Sequence, residues 1–141
     1  MKLEEIKKMI PSVEYKQMVY QKDRKLEILC EGKYKDYQFY ILNLGTHPTA
    51  YIEIPKTSDL YGKDYNNIDI DVHGGLTYSD DQLHSVKENT WFIGWDYAHL
   101  NDYAGYEEIM PENIRTGGKM WTTEEIFEDV VSAIEQIIKE R

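Results

Sequence analysis

Two short stretches of this 141-residue chain carry residue types that could do chemistry. The first is Asp69-x-Asp71-x-His73, followed by Gly74-Gly75. On an extended strand, alternate side chains leave the same face, so these three polar groups would project together. A glycine pair beyond them would allow a sharp turn or the close approach of a ligand. The second is Asp96-x-x-His99-x-x-Asp102. On a helical turn, residues three apart share one side. Imidazole with carboxylate suits a transition metal such as zinc, and carboxylates alone suit magnesium or manganese. The same pairing suits acid–base chemistry, because a carboxylate orients an imidazole that titrates near neutrality. The candidate metal set is therefore Asp71, His73, Asp96 and His99, and the candidate catalytic set is His73, Asp96 and His99. A binding site drawn on the same residues takes in Asp71, His73, Tyr78, Trp95, Asp96, His99 and Asp102. The bland alternative is that Asp71 and Asp96 cap turns, while His73 and His99 are hydrogen-bonded core or rim residues.

Neither spacing is a specific metal signature: H-E-x-x-H and C-x-x-C are both absent. His47-Pro48-Thr49 resembles one half of a phosphoesterase histidine-x-threonine pair, but no second half exists; His84-Ser85-Val86 does not supply it. No phosphate-binding glycine loop and no nucleophile elbow occurs. Cys30 lies between apolar neighbours and reads as an inert buried thiol.

The elements that must hold these residues follow from periodicity. Leu3, Ile6 and Ile10 recur at helical spacing and Pro11 ends that helix, so residues 2–10 form a short helix. Residues 26–30 alternate, with Leu26, Ile28 and Cys30 on one face, and predict a half-buried strand. A polar break at 32–36 precedes residues 37–44, which are apolar on both faces like a central strand. Residues 50–54 alternate and stop at Pro55. Residues 68–73 alternate strictly, with Ile68, Ile70 and Val72 opposite the polar trio. Residues 76–78 read as resuming that strand, residues 79–89 as a hydrophilic loop, and residues 91–95 as a fifth strand. Thr122 precedes Glu125 by three positions, the spacing of a capping box, with Trp121 and Ile126 placed as its hydrophobic staple. Ile126, Phe127, Val130, Val131, Ile134, Ile137 and Ile138 then form a helical stripe. The expected fold is α+β in a single domain over residues 1–141. It has an N-terminal helix within 1–10, a mostly antiparallel sheet of about five strands within 25–103, and a C-terminal amphipathic helix at 122–141 covering one face.

Composition narrows the function. The formal net charge is −10, with nine basic and seven acidic residues in 1–40 against seven and nineteen in 41–141. That balance disfavours direct nucleic-acid binding, which needs basic residues to displace counterions. It leaves open an acidic mimic of nucleic acid. No run approaches the roughly 18 apolar residues of a membrane span, and the N-terminus lacks an apolar signal segment. The expectation is a cytoplasmic protein. Twelve of the eighteen aromatic residues are tyrosines, which suits half-wet surfaces.

The run YGKDYNNIDIDVHGGLTYS, with WFIGWDYAHLNDY after it, resembles a family of small proteins of unknown function from phages and prophages. The resemblance covers roughly residues 33–103 and is strongest in two blocks. One is His73-Gly74-Gly75-Leu76-Thr77-Tyr78; the other is Trp95-Asp96-Tyr97-Ala98-His99 with Asp102. Many members carry Cys where this chain has Tyr97, and Arg-Cys where it has Pro48-Thr49, so a cysteine-nucleophile mechanism does not transfer. The resemblance implies a phage or prophage protein acting in a bacterial cytoplasm. On these grounds the leading reading is a non-enzymatic binding protein for a small molecule or a host protein. A small metal-dependent hydrolase and the acidic mimic stand behind it, and oligomeric state is open, a homodimer included.

Overall fold

The structure is a computed structural model that describes residues 2–16, 26–44, 47–98 and 119–139. Six antiparallel strands form one sheet in the order β1-β2-β3-β4-β6-β5. They are β1 (Glu14–Tyr15), β2 (Glu27–Tyr34), β3 (Tyr37–Asn43), β4 (Pro48–Ile54), β5 (Tyr78–Leu83) and β6 (Lys87–Asp96). Helix α1 (Leu3–Met9) precedes the sheet, and helix α2 (Thr123–Lys139) follows it. The α+β architecture is as expected, with six strands rather than five.

Helix α2 forms where its capping residues allow. Thr122 N–H donates to Glu125 Oε1 at 3.1 Å, and Glu125 N–H donates back to Thr122 Oγ1 at 3.2 Å. Two of the amides that a helix start leaves unpaired are thereby satisfied. Ile126, Phe127, Val130, Ala133, Ile134 and Ile137 are buried against the sheet, and Phe127 meets Phe39 edge-on at 5.6 Å. Ala50, Ile52 and Ile54 of β4 and Ile93 and Trp95 of β6 belong to this helix-side core. The other face carries a smaller cluster of Tyr40, Leu42, Tyr51, Leu83 and Phe92.

Several local expectations change. Strand β2 does not alternate as its sequence does: a bulge between Ile28 and Cys30 turns both Leu29 and Cys30 inward and leaves Ile28 37% exposed. The strand also runs on to Tyr34, and the polar break shrinks to Lys35 and Asp36. Both of these have positive φ (46° and 72°), as a tight two-residue hairpin with right-handed strand twist requires. Residues 79–89 are no loop. Ser79 to Leu83 lie in β5, and a three-residue turn, His84-Ser85-Val86, leads into β6. β5 is a sheet edge, with one partner and a register shift between Asp80 and Gln82. Its acidic residues and its irregularity discourage pairing with another chain, which is why its sequence looks unlike a strand.

The largest change concerns residues 68–73, which are not a strand. β4 and β5 both pair antiparallel with β6, so they run parallel to each other with β6 between them. Residues 55–77 make this crossover on the helix side of the sheet. A short 3-10 turn (Tyr65–Asn67), started by Asp64 accepting from Asn66 N–H, is the one regular element in it. Ile68, Ile70 and Val72 still point into the core, at 8–9% exposure, while Asp69 and Asp71 are exposed. The alternation is that of an extended strap laid over a core, held by side chains instead of a partner strand.

Candidate functional site

His73 ends this strap. Gly74 and Gly75 follow with φ of 68° and 81°, and Gly75 N–H donates to Val72 C=O at 2.9 Å. The glycine pair therefore serves the turn's backbone. The turn lays the His73 ring flat on Tyr97, with centroids 4.7 Å apart and planes 7° from parallel. Trp121 closes the group from the side, 4.7 Å from His73 and 4.9 Å from Tyr97. Lys119 Nζ lies 4.1 Å over the Trp121 ring and pairs with Glu125 Oε2 at 2.5 Å. His73 and Trp121 are half-buried, whereas Tyr97 is fully buried.

Beneath the stack, Trp95 Nε1–H donates to the Tyr97 hydroxyl at 3.0 Å, and that hydroxyl donates to Asp129 Oδ2 at 2.5 Å. Burial pushes the Asp129 carboxyl above the ordinary carboxylate range, while the Tyr97 hydrogen bond and the field of His73 act against that rise. Three elements thus converge: the strap supplies His73, the end of β6 supplies Trp95 and Tyr97, and α2 with its approach supplies Trp121 and Asp129. Periodicity named His73 and Trp95 but neither Tyr97 nor Asp129 as site residues. Asp129 lies beside the apolar stripe of α2, among acidic residues that otherwise favour a helix start.

The two sequence blocks do meet, at the stack of His73 on Tyr97 and at a hydrogen bond from Thr77 to Asp96, but among the described residues His73 and Asp96 do not share a pocket. In the β4–β6 register Trp95 faces Ala50 and Asp96 faces Thr49. Trp95 and Ala50 belong to the helix-side core, so Asp96 leaves the opposite face, because neighbouring strand residues point opposite ways. There Asp96 accepts from Thr77 Oγ1 and from Ala98 N–H, each at 3.1 Å. The second bond is a local turn cap, the bland alternative for this residue. Tyr78 is also on that face, packed edge-on against Tyr51 at 5.1 Å. Trp95 is buried and lines the support of the stack, not a surface. Asp71 is exposed. His99 and Asp102 lie outside the described residues. Among the described residues no three of His, Cys, Asp and Glu come together as a metal would need, so Asp71, His73 and Asp96 are not such a set. Cys30 is buried, and burial followed by the charge of Glu31 raises its thiol to about 12, as an inert thiol requires.

The main chain at Asp71 takes the place of a strand ladder. Asp71 N–H donates to Gln136 Oε1 at 2.6 Å, and Gln136 Nε2 donates to Asp71 C=O at 2.8 Å. One helix side chain thus satisfies both backbone groups. Gln136→Ala is expected to cost about 1–2 kcal/mol in urea unfolding and to raise hydrogen exchange at the Asp71 amide. Unchanged protection at that amide would remove Gln136 as the clamp.

No family model, curated protein or solved structure matches this chain. Among the described residues no helix is long and apolar enough to cross a membrane.

Proposed function

We propose that this is a non-enzymatic binding protein of phage or prophage origin, and that it recognises a host protein through the surface around His73 and Trp121. The observation that carries this reading is the half-exposed aromatic pair locked over a buried Trp95–Tyr97–Asp129 hydrogen-bond chain. Aromatic groups held rigid before binding lose little entropy when a partner covers them, and such groups are frequent anchors of protein interfaces. A small molecule asks instead for an enclosed cleft. One concavity lies beside Lys33, Gln38 and Glu53 and another at His84 to Glu88, neither of them lined by His73 or Trp121. The origin rests on the resemblance of the two sequence blocks, and with it the bacterial cytoplasm as the place of action.

The test is capture from bacterial lysate on immobilised protein, then binding of the purified captured species. Affinity should fall about tenfold or more in His73→Ala and in Trp121→Ala, and should survive Asp96→Asn on the other face. Equal affinity in the two aromatic-patch variants, each checked for a native unfolding transition, would discard the reading.

A further inference from the structure

Lys119 Nζ lies 4.1 Å from the centre of the Trp121 ring, and Glu125 Oε2 pairs with it at 2.5 Å. An indole face and a carboxylate together make a seat for a cationic group. Both walls of the seat are held by other contacts. Glu125 Oε1 accepts from Thr122 N–H and from Thr122 Oγ1, each at 3.1 Å, which leaves Oε2 for the cation. Trp121 is braced by the rings of His73 and Tyr97, 4.7 and 4.9 Å away. The Lys119 and Glu125 side chains are 51% and 33% exposed, so the seat is open to solvent, and an exposed ion pair of this kind is held weakly. Met120, between Lys119 and Trp121 in the chain, is 56% exposed and adds apolar surface of the kind that interfaces cover. The charge around the seat has one sign. Residues 68–77 end the strap, which Asp71 and Gln136 tie to α2, and residues 119–131 lead into and begin that helix. These two segments hold Asp69, Asp71, Glu124, Glu125, Glu128 and Asp129, with Lys119 as their single Lys or Arg.

We propose that the partner recognised at this surface presents a basic segment, and that one of its arginine side chains takes the seat between Trp121 and Glu125 in place of Lys119. The proposal rests on the host-protein reading above and adds the partner's chemistry to it. Exchanging one cation for another keeps the Glu125 carboxylate paired when the partner covers it, so no charge is buried alone. Arginine fits the seat better than lysine does. Its guanidinium is planar and weakly hydrated, and it can stack on the indole while its edge donates to the carboxylate. The Lys119 ammonium returns to water, to which its side chain is already half open. The formal net charge of −10 speeds the approach of a basic segment and disfavours acidic partners. The surrounding acidic groups meet further basic side chains at the rim, where they set rate and register more than affinity.

Titration of the full chain with a hexa-arginine peptide tests this, read by affinity and by NMR of the assigned tryptophan indole N–H signals. In the unmodified chain the peptide should shift the Trp121 signal more than that of Trp91. Lys119→Gln should tighten binding about threefold, because the seat is then empty. Lys139→Gln makes the same charge change at the far end of α2 and should tighten it less. Trp121→Leu alters no charge and should weaken binding about fivefold, which general attraction between acid and base would not produce. Lys119→Gln binding no tighter than Lys139→Gln, Trp121→Leu binding as tightly as the unmodified chain, or a Trp121 signal that stays in place overturns the proposal. Should Trp121→Leu not fold, the lysine comparison and the indole signals decide. The host-protein reading has its own test in the capture experiment with His73→Ala and Trp121→Ala. A captured protein that depends on both residues while the peptide arm fails would leave that reading standing and overturn the cationic seat.

Discussion

Gly94→Ala should destabilise the protein by at least about 3 kcal/mol, a large share of the stability of a domain this size. The added Cβ would meet Tyr51 Cδ1 at 2.4 Å, Tyr51 Cε1 at 2.8 Å and the Ala50 carbonyl oxygen at 2.7 Å. Tyr51 is 3% exposed and packed among Phe92, Leu83 and Leu42, so its ring has no empty space to enter. The Ala50 oxygen belongs to the neighbouring strand and cannot move without breaking the β4–β6 register. Urea unfolding at neutral pH measures the effect. Tyr51→Ala should cost less in the Gly94→Ala background than on its own, because the clash with the ring is then gone, while the contact with the Ala50 carbonyl remains. A Gly94→Ala midpoint equal to that of the unmodified chain would show that Tyr51 does not lie across β6.

Tyr97→Phe is expected to cost about 2–4 kcal/mol although it keeps the ring and the stack with His73. It leaves Trp95 Nε1–H buried without an acceptor and Asp129 half-buried without its donor, and each such loss costs about 1–3 kcal/mol. Asp129→Asn should cost less, because an amide oxygen can still accept from Tyr97. Its pH dependence has a definite sign. Burial lifts the Asp129 carboxyl in the folded state above its value in the unfolded chain. A raised folded value means that the folded state holds the proton more tightly. The stabilisation is therefore complete below the unfolded value and is lost as pH rises through the folded one. The stability difference between the unmodified chain and Asp129→Asn should shrink over that interval. A difference that grows with pH there would mean that the hydrogen bond from Tyr97, not burial, controls Asp129. Combining Tyr97→Phe with Asp129→Asn should cost less than the two single changes added together, since both act on one contact.

Legibility in the sequence followed the range of the forces involved. Thr122, Glu125 and the Ile126–Phe127–Val130–Ile134–Ile137 stripe specify a helix through contacts three or four residues apart, and α2 begins and buries itself accordingly. The apolar run of β3 needed no partner to be recognised as a central strand. By contrast, Ser79 to Gln82 are polar because they lie at an edge, and only the β6 register makes them a strand. The bulge that turns Leu29 inward is equally invisible along the chain.

His73 and Asp96 show the same limit at the site. Both were legible as chemistry-bearing residues, and the alternation of Ile68, Ile70 and Val72 correctly foretold an extended segment with its apolar side on the core. Local pattern thus settled which residues are apolar, which are polar and where the C-terminal helix starts, because each of those depends on near neighbours. Which face of the sheet each polar group leaves depends on strand register, and which groups then touch depends on where the crossover and α2 lie. These are contacts between residues far apart in the chain, and so tertiary structure alone joined His73 to Tyr97, Trp121 and Asp129 and put Asp96 on the other side.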